Sequence, residues 1–83
     1  MASRKQAAID IRRVARKLSA MADRDPEMAR VYDSDAEDLF IVASFVDAGQ
    51  LKKASYAAWS LDTVVRDKLP KSFYELMSQY GLD

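Results

Sequence analysis

The scarcity of chain-turning residues is the feature that most limits the fold of this sequence. Its 83 residues include only two glycines and two prolines, and a β-sandwich or barrel needs many more turn-forming residues. Apolar residues instead recur at the three- and four-residue spacing of amphipathic helices. We therefore expect one all-α domain over residues 1–83, a compact bundle of four main helices with one extra short helix.

Helix start and stop signals divide the chain into five predicted segments. These signals are a polar N-cap, a proline in the first turn and a glycine at the C-terminal end. They occur at Ser3, at Pro26, in the capping-box pattern of Ser34 and Glu37, and at Gly49, Pro70 and Gly81. The predicted helices span about 4–22, 26–32, 35–48, 50–69 and 71–80. After Gly81, Leu82 is expected to fold back onto the last helix.

The chain has no cysteine and no histidine, which narrows its possible functions. It lacks thiolate nucleophiles, the usual general base near neutral pH and the commonest ligands of transition metals. The acids from Asp33 to Asp38 do not form a calcium loop, because an EF-hand register from Asp33 places Asp38 at the glycine position and Ser44 at the bidentate glutamate. We expect no enzyme, no metal site and no cofactor.

No uncharged apolar stretch approaches the roughly 20 residues that a membrane-spanning helix needs. The N-terminus is charged and has no apolar run of signal-peptide length. Nothing in the composition requires an oxidising compartment. We therefore expect a cytoplasmic protein with no membrane partner.

Charge is unevenly distributed although the formal net charge is zero. Basic residues concentrate in the first predicted helix, and acidic residues concentrate between positions 21 and 50. The basic face can contact phosphates, which makes a nucleic-acid-binding regulator one alternative. A solvated face, or one that docks onto the acidic segment, is the favoured interpretation because the chain as a whole is neutral. The residues of this face are Lys5, Arg12, Arg13, Arg16 and Lys17.

The fourth predicted helix has two faces. One is aliphatic and suits the core, whereas the other carries Tyr56 and Trp59, the only tryptophan. Tyrosine, tryptophan and arginine together are typical of interface hot spots. The predicted protein-binding stripe, at positions i, i+4, i+7, i+11 and i+14, is Lys52, Tyr56, Trp59, Thr63 and Arg66. The alternative is that another part of the same chain covers Trp59.

Apolar side chains also lie outside the main stripes of two other helices, at Ile9, Ile41 and Phe45. One small monomer has difficulty covering all of them, so these three residues form a candidate self-association patch in a homodimer. The favoured function is a small adaptor, inhibitor or regulatory subunit that binds another protein. A structural component of a larger particle is a further alternative.

Overall fold

The computed structural model describes residues 2–82. This part of the chain is all-α and has no strands, and the model is 77% helical. The five helices are α1 (Arg4–Arg24), α2 (Ala29–Asp47), α3 (Leu51–Trp59), α4 (Thr63–Arg66) and α5 (Lys71–Gln79). None of the helices described for residues 2–82 combines the length and the apolar character needed to cross a membrane.

The two longest helices, α1 and α2, pack side by side and supply most of the core. Ile11 of α1 and Leu39, Val42 and Val46 of α2 are fully buried between the elements. The connection between them is only four residues long, so the helices run antiparallel. α3 then packs on α2, and α5 packs on α1. The molecule is elongated along this hairpin, with principal extents of 39 × 20 × 19 Å.

The second helix is continuous where the sequence predicted two helices, 26–32 and 35–48. The polar segment from Asp33 to Asp38 stays helical, and Ser34 is exposed on it without forming a capping hydrogen bond. The buried Ala36 extends the core stripe from Tyr32 to Leu39 through this segment. Packing against α1 therefore outweighs the local capping preference of serine and aspartate.

The predicted helix 50–69 is, conversely, broken into α3 and α4. The chain tightens after Trp59, where the Leu61 amide donates to the Ala58 carbonyl over three residues. The Ser60 hydroxyl donates to the Tyr56 carbonyl, a bond that competes with regular helix geometry. The following Asp62 adopts extended backbone angles and begins α4. The extra short helix is therefore α4, not the predicted segment 26–32.

Several predicted helix ends are confirmed. Ser3 caps α1 by accepting a hydrogen bond from the Gln6 amide at 3.0 Å. Gly49 and Gly81 have φ angles of +76° and +68°, and both complete Schellman ends. At the second of these, the Leu82 amide donates to the Met77 carbonyl at 2.9 Å. Leu82 packs against the core as expected.

The C-terminal helix α5 is attached to α1 by a hydrogen bond between side chains. The Ser72 hydroxyl donates to Asp10 Oδ2 at 2.7 Å, across 62 residues of sequence. This bond is the main reason that the pKa of Asp10 lies below its ordinary value of 3.8; partial burial opposes it, and Gln6 and Arg13 reinforce it. The ionised carboxylate is thus the form that the fold favours.

We expect Ser72→Ala to lower the free energy of unfolding by about 1 kcal/mol at neutral pH, because it removes a hydrogen bond to a charged acceptor. Ser78→Ala, on the exposed side of the same helix, controls for the change in helix propensity. A carboxylate whose pKa is lower in the folded state than in the unfolded state stabilises the fold at pH values above its unfolded pKa of 3.8. That stabilisation is lost as the pH falls through the lower pKa of the folded state. Urea unfolding should therefore show the difference between the variants shrinking in acid. An equal difference at about pH 2 would contradict this role for Asp10.

Candidate functional site

The bend between α3 and α4 is held by the side chain of Arg66. Its Nη2 group donates to the Trp59 carbonyl at 2.8 Å and to the Leu61 carbonyl at 2.9 Å. Trp59 is the last residue of α3 and Leu61 lies just beyond its C-cap, where backbone acceptors lack intrahelical partners. A cation at a helix C-terminus also opposes the negative end of the helix dipole. Arg66 therefore replaces the backbone bonds that a continuous helix would have made.

The indole of Trp59 packs on this same guanidinium. The Arg66 Cζ atom lies 4.9 Å from the centroid of the Trp59 ring, a cation–π arrangement. The Trp59 side chain nevertheless remains 61% exposed, so it does not belong to the hydrophobic core. The largest side chain of this protein is thus held in place by a neighbour while most of its surface faces solvent.

Tyr74 of α5 completes the cluster. Its hydroxyl donates to the Arg66 carbonyl at 2.8 Å, and its ring meets Phe73 edge-on at 5.8 Å between centroids. Tyr74 is 44% exposed, whereas Phe73 is buried. The bonds of Arg66 and Tyr74 connect α3, the bend and α5 into one surface feature.

An apolar pocket of about 100 Å³ opens beside Trp59. It is lined by residues of α3 and α5 and by Leu82, whose carbonyl accepts a hydrogen bond from the Ser55 hydroxyl at 3.1 Å. The pocket is lined by Ser55, Ala58, Trp59, Arg66, Leu69, Phe73, Tyr74, Met77 and Leu82. We call these nine residues the Trp59 pocket.

The predicted protein-binding stripe is only partly assembled by the structure. Lys52, Tyr56 and Trp59 share one side of α3, and Tyr56 is 78% exposed. The spacing that placed Thr63 and Arg66 on the stripe assumed a helix that continued past Trp59, and that continuous helix is wrong because α3 ends there. Thr63 is exposed at the start of α4, while Arg66 reaches Trp59 by folding back across the bend.

Several residues of the Trp59 pocket were not among the predicted site residues. In the sequence, four of the pocket residues have the pattern of core positions: Leu69, Phe73, Met77 and Leu82. They lie outside the helix of Trp59, so helical periodicity does not relate them to it. The available signal was local: Ser60, Asp62 and the run Thr63-Val64-Val65 all disfavour a helix interior. That signal would have placed the bend, and with it the fold-back of Arg66.

The predicted self-association residues differ in exposure. Ile9 on α1 and Ile41 on α2 are 39% and 48% exposed. Phe45 is partly buried and packs against the core. Ile41 also borders a second, more open depression of about 290 Å³, together with Asp38, Ala57, Ser60 and Leu61. Two of the three residues therefore keep apolar surface on the outside of the molecule.

Among residues 2–82, the basic face of α1 meets the acidic segment at the salt bridge from Arg12 to Asp47, and the rest of the face is exposed to solvent. Within residues 2–82, the salt bridges of this face run from Arg12 to Asp47 at 3.3 Å and from Arg13 to Asp10 at 3.6 Å. Lys5, Arg16 and Lys17 are exposed. The packing explains this exposure, because α1 and α2 meet through their apolar stripes and these basic side chains point outwards.

Removing Arg66 should destabilise the fold more than removing an exposed arginine. We expect Arg66→Ala to lower the free energy of unfolding by about 2 kcal/mol, since two carbonyls at the end of α3 lose a charged donor. Arg30→Ala, on the exposed side of α2, should stay within about 0.5 kcal/mol of wild type. Equal losses for both arginine variants in urea unfolding would rule out the bridging role.

Tyr74→Phe should lower the free energy of unfolding by about 1 kcal/mol, because it removes the hydrogen bond to the Arg66 carbonyl. Tyr80→Phe is its matched control.

No protein-family model, curated protein or solved structure matches this chain. Its function is therefore inferred from the residues and the geometry described above.

Proposed function

We propose that this chain is a non-enzymatic protein–protein interaction module that binds its partner through Trp59 and the pocket beside it. The observation that carries the proposal is the 61% exposure of the only tryptophan directly over an apolar pocket. Exposed aromatic side chains next to an unfilled apolar pocket are typical of binding surfaces, where they contribute large contact area at low entropic cost.

Preorganisation supports this assignment. The Trp59 ring rests on Arg66, and Arg66 is itself fixed by hydrogen bonds to two backbone carbonyls. A side chain held in place before binding loses less conformational entropy when a partner covers it. Tyr56 lies on the same side of α3 and is 78% exposed, which extends the aromatic surface by nearly one helical turn.

An adaptor, an inhibitor and a regulatory subunit all act by this kind of contact, and we propose such a role in the cytoplasm. Self-association through Ile9, Ile41 and Phe45 is a separate proposal, supported by the exposure of the two isoleucines. These residues belong to α1 and α2, whereas the Trp59 pocket is formed by α3, α5 and the segments next to them. A homodimer through α1 and α2 would therefore leave the Trp59 pocket open to a second protein.

Trp59→Ala should weaken binding of the partner by about 2 kcal/mol or more while circular dichroism shows the helix content of wild type. Tyr80→Ala is the matched control, because Tyr80 is 60% exposed but does not line the pocket. The measurement is a quantitative pull-down from the native cell with wild type and both variants. Equal recovery of every bound protein by all three would contradict the proposal.

The same pull-down tests nucleic-acid binding through the exposed basic residues of α1. That alternative predicts nucleic acid in the eluates of wild type and of Trp59→Ala alike, with recovery that falls steeply as salt is raised. It also predicts a loss in the triple variant Arg13→Ala, Arg16→Ala, Lys17→Ala. Protein bands that depend on Trp59, without nucleic acid, favour the interaction module.

A further inference from the structure

The floor of the Trp59 pocket defines the size and polarity of what can enter it. Ala58, Leu69, Phe73 and Met77 are buried residues that form an almost wholly apolar lining. An enclosed apolar cavity of about 150 Å³ in another protein accepts benzene. The pocket here is smaller, about 100 Å³, and it opens to solvent on one side. It therefore suits a single aliphatic side chain such as leucine, isoleucine or methionine better than an indole.

Among the described residues, the charge at the rim of the pocket is positive. Of residues 2–82, Arg66 is the one charged residue that lines the pocket. Its Nη2 bonds go to neutral carbonyl oxygens, and no carboxylate of residues 2–82 lies within salt-bridge distance of it. The carboxylate of Asp62 lies close enough to α2 to help raise the pKa of Asp35, after the larger effects of burial and Asp38.

Arg66 also has a donor without an acceptor among residues 2–82. Its Nε–H group is buried and has no hydrogen-bond partner there. A buried donor without a partner costs about 1–3 kcal/mol. A partner that brought an acceptor to this group would therefore offset that cost on binding.

A second positive charge lies on the same side of α3. Lys52 precedes Trp59 by seven residues, two helical turns, and both project from one stripe of the helix. Lys52 is exposed, and it forms no salt bridge among the described residues. The aromatic surface is therefore flanked by Lys52 at one end and by Arg66 at the other.

We propose that the Trp59 pocket binds an acidic peptide segment of a partner protein, with one aliphatic side chain in the pocket and carboxylates facing Arg66 and Lys52. This inference rests on the proposed function, because it specifies the partner of the same surface. Opposite charge at the rim gives orientation and a faster encounter, and the apolar anchor gives the affinity.

A second copy of the chain is the competing occupant, since α2 exposes Ile41 beside Asp38. A contact between unlike surfaces of two copies leads to open chains of molecules unless the rotation closes a ring. A peptide from another protein does not carry this restriction.

The test is selection of random peptides displayed on phage, with the full chain as bait and Trp59→Ala as the counter-selection. We expect the enriched sequences to share one leucine, isoleucine or methionine with aspartate or glutamate within about four positions. A synthetic peptide of that kind should bind Lys52→Glu about tenfold more weakly than wild type, as measured by calorimetry. Lys53→Glu is the matched control: Lys53 is also exposed on α3 but lies about 100° further round the helix, and it should change the affinity less than twofold.

The possible failures can be told apart. Peptides that require Trp59 but lack acidic residues, or that bind Lys52→Glu and Lys53→Glu equally, would overturn the acidic-partner inference and leave the interaction function standing. Loss of a wild-type dimer in Trp59→Ala, measured by sedimentation, would show that a second copy occupies the pocket and would overturn the inference as well. Supporting results are an acidic consensus, and recovery of affinity in the Lys52→Glu background when the one peptide acid that faces position 52 is exchanged for lysine.

Discussion

The hydrogen bonds from Arg66 to the carbonyls of Trp59 and Leu61 are the interaction on which the functional surface depends. They let α3 end at Trp59 although neither glycine nor proline is present at the break. Once the chain turns there, the segment after α4 can bring α5 beside α3, and Tyr74 bonds back to the Arg66 carbonyl. The same guanidinium supports the Trp59 ring. One side chain thus determines the bend, the aromatic surface and the rim of the pocket.

The sequence was a good guide where one physical effect acted alone. Amphipathic spacing and the lack of turn residues indicated an all-α chain, and Ser3, Gly49 and Gly81 marked helix ends that the backbone bonds confirm. The sequence misled where two effects competed. At Ser34 tertiary packing outweighed capping, and α2 continued. At Ser60 local hydrogen bonds, with help from Arg66, outweighed the apolar periodicity, and the predicted helix 50–69 broke.

The candidate site shows the same limit more sharply. A second face carrying Tyr56 and Trp59 follows from a helical wheel, but whether it was covered did not, and both side chains are exposed. The pocket could not be read in this way, because Leu69, Phe73 and Leu82 reach Trp59 only through tertiary structure. The role of Arg66 was hidden for the same reason: on a continuous helix it would lie on the stripe of Trp59 but two turns away, beyond reach of the Trp59 carbonyl. The residue types of an interface can be recognised within one short segment of sequence, whereas the shape of a pocket depends on how distant segments pack.

The central claim is that Trp59 is a surface residue held over an apolar pocket, and its intrinsic fluorescence tests this most directly because the chain has one tryptophan. The native protein should emit like an indole largely exposed to water, iodide should quench it efficiently, and urea should shift the emission only slightly. Acidic peptides that enter the pocket should protect it from iodide. A native emission at short wavelength, protected from iodide and moving strongly to the red on unfolding, would place Trp59 in the core and contradict the account.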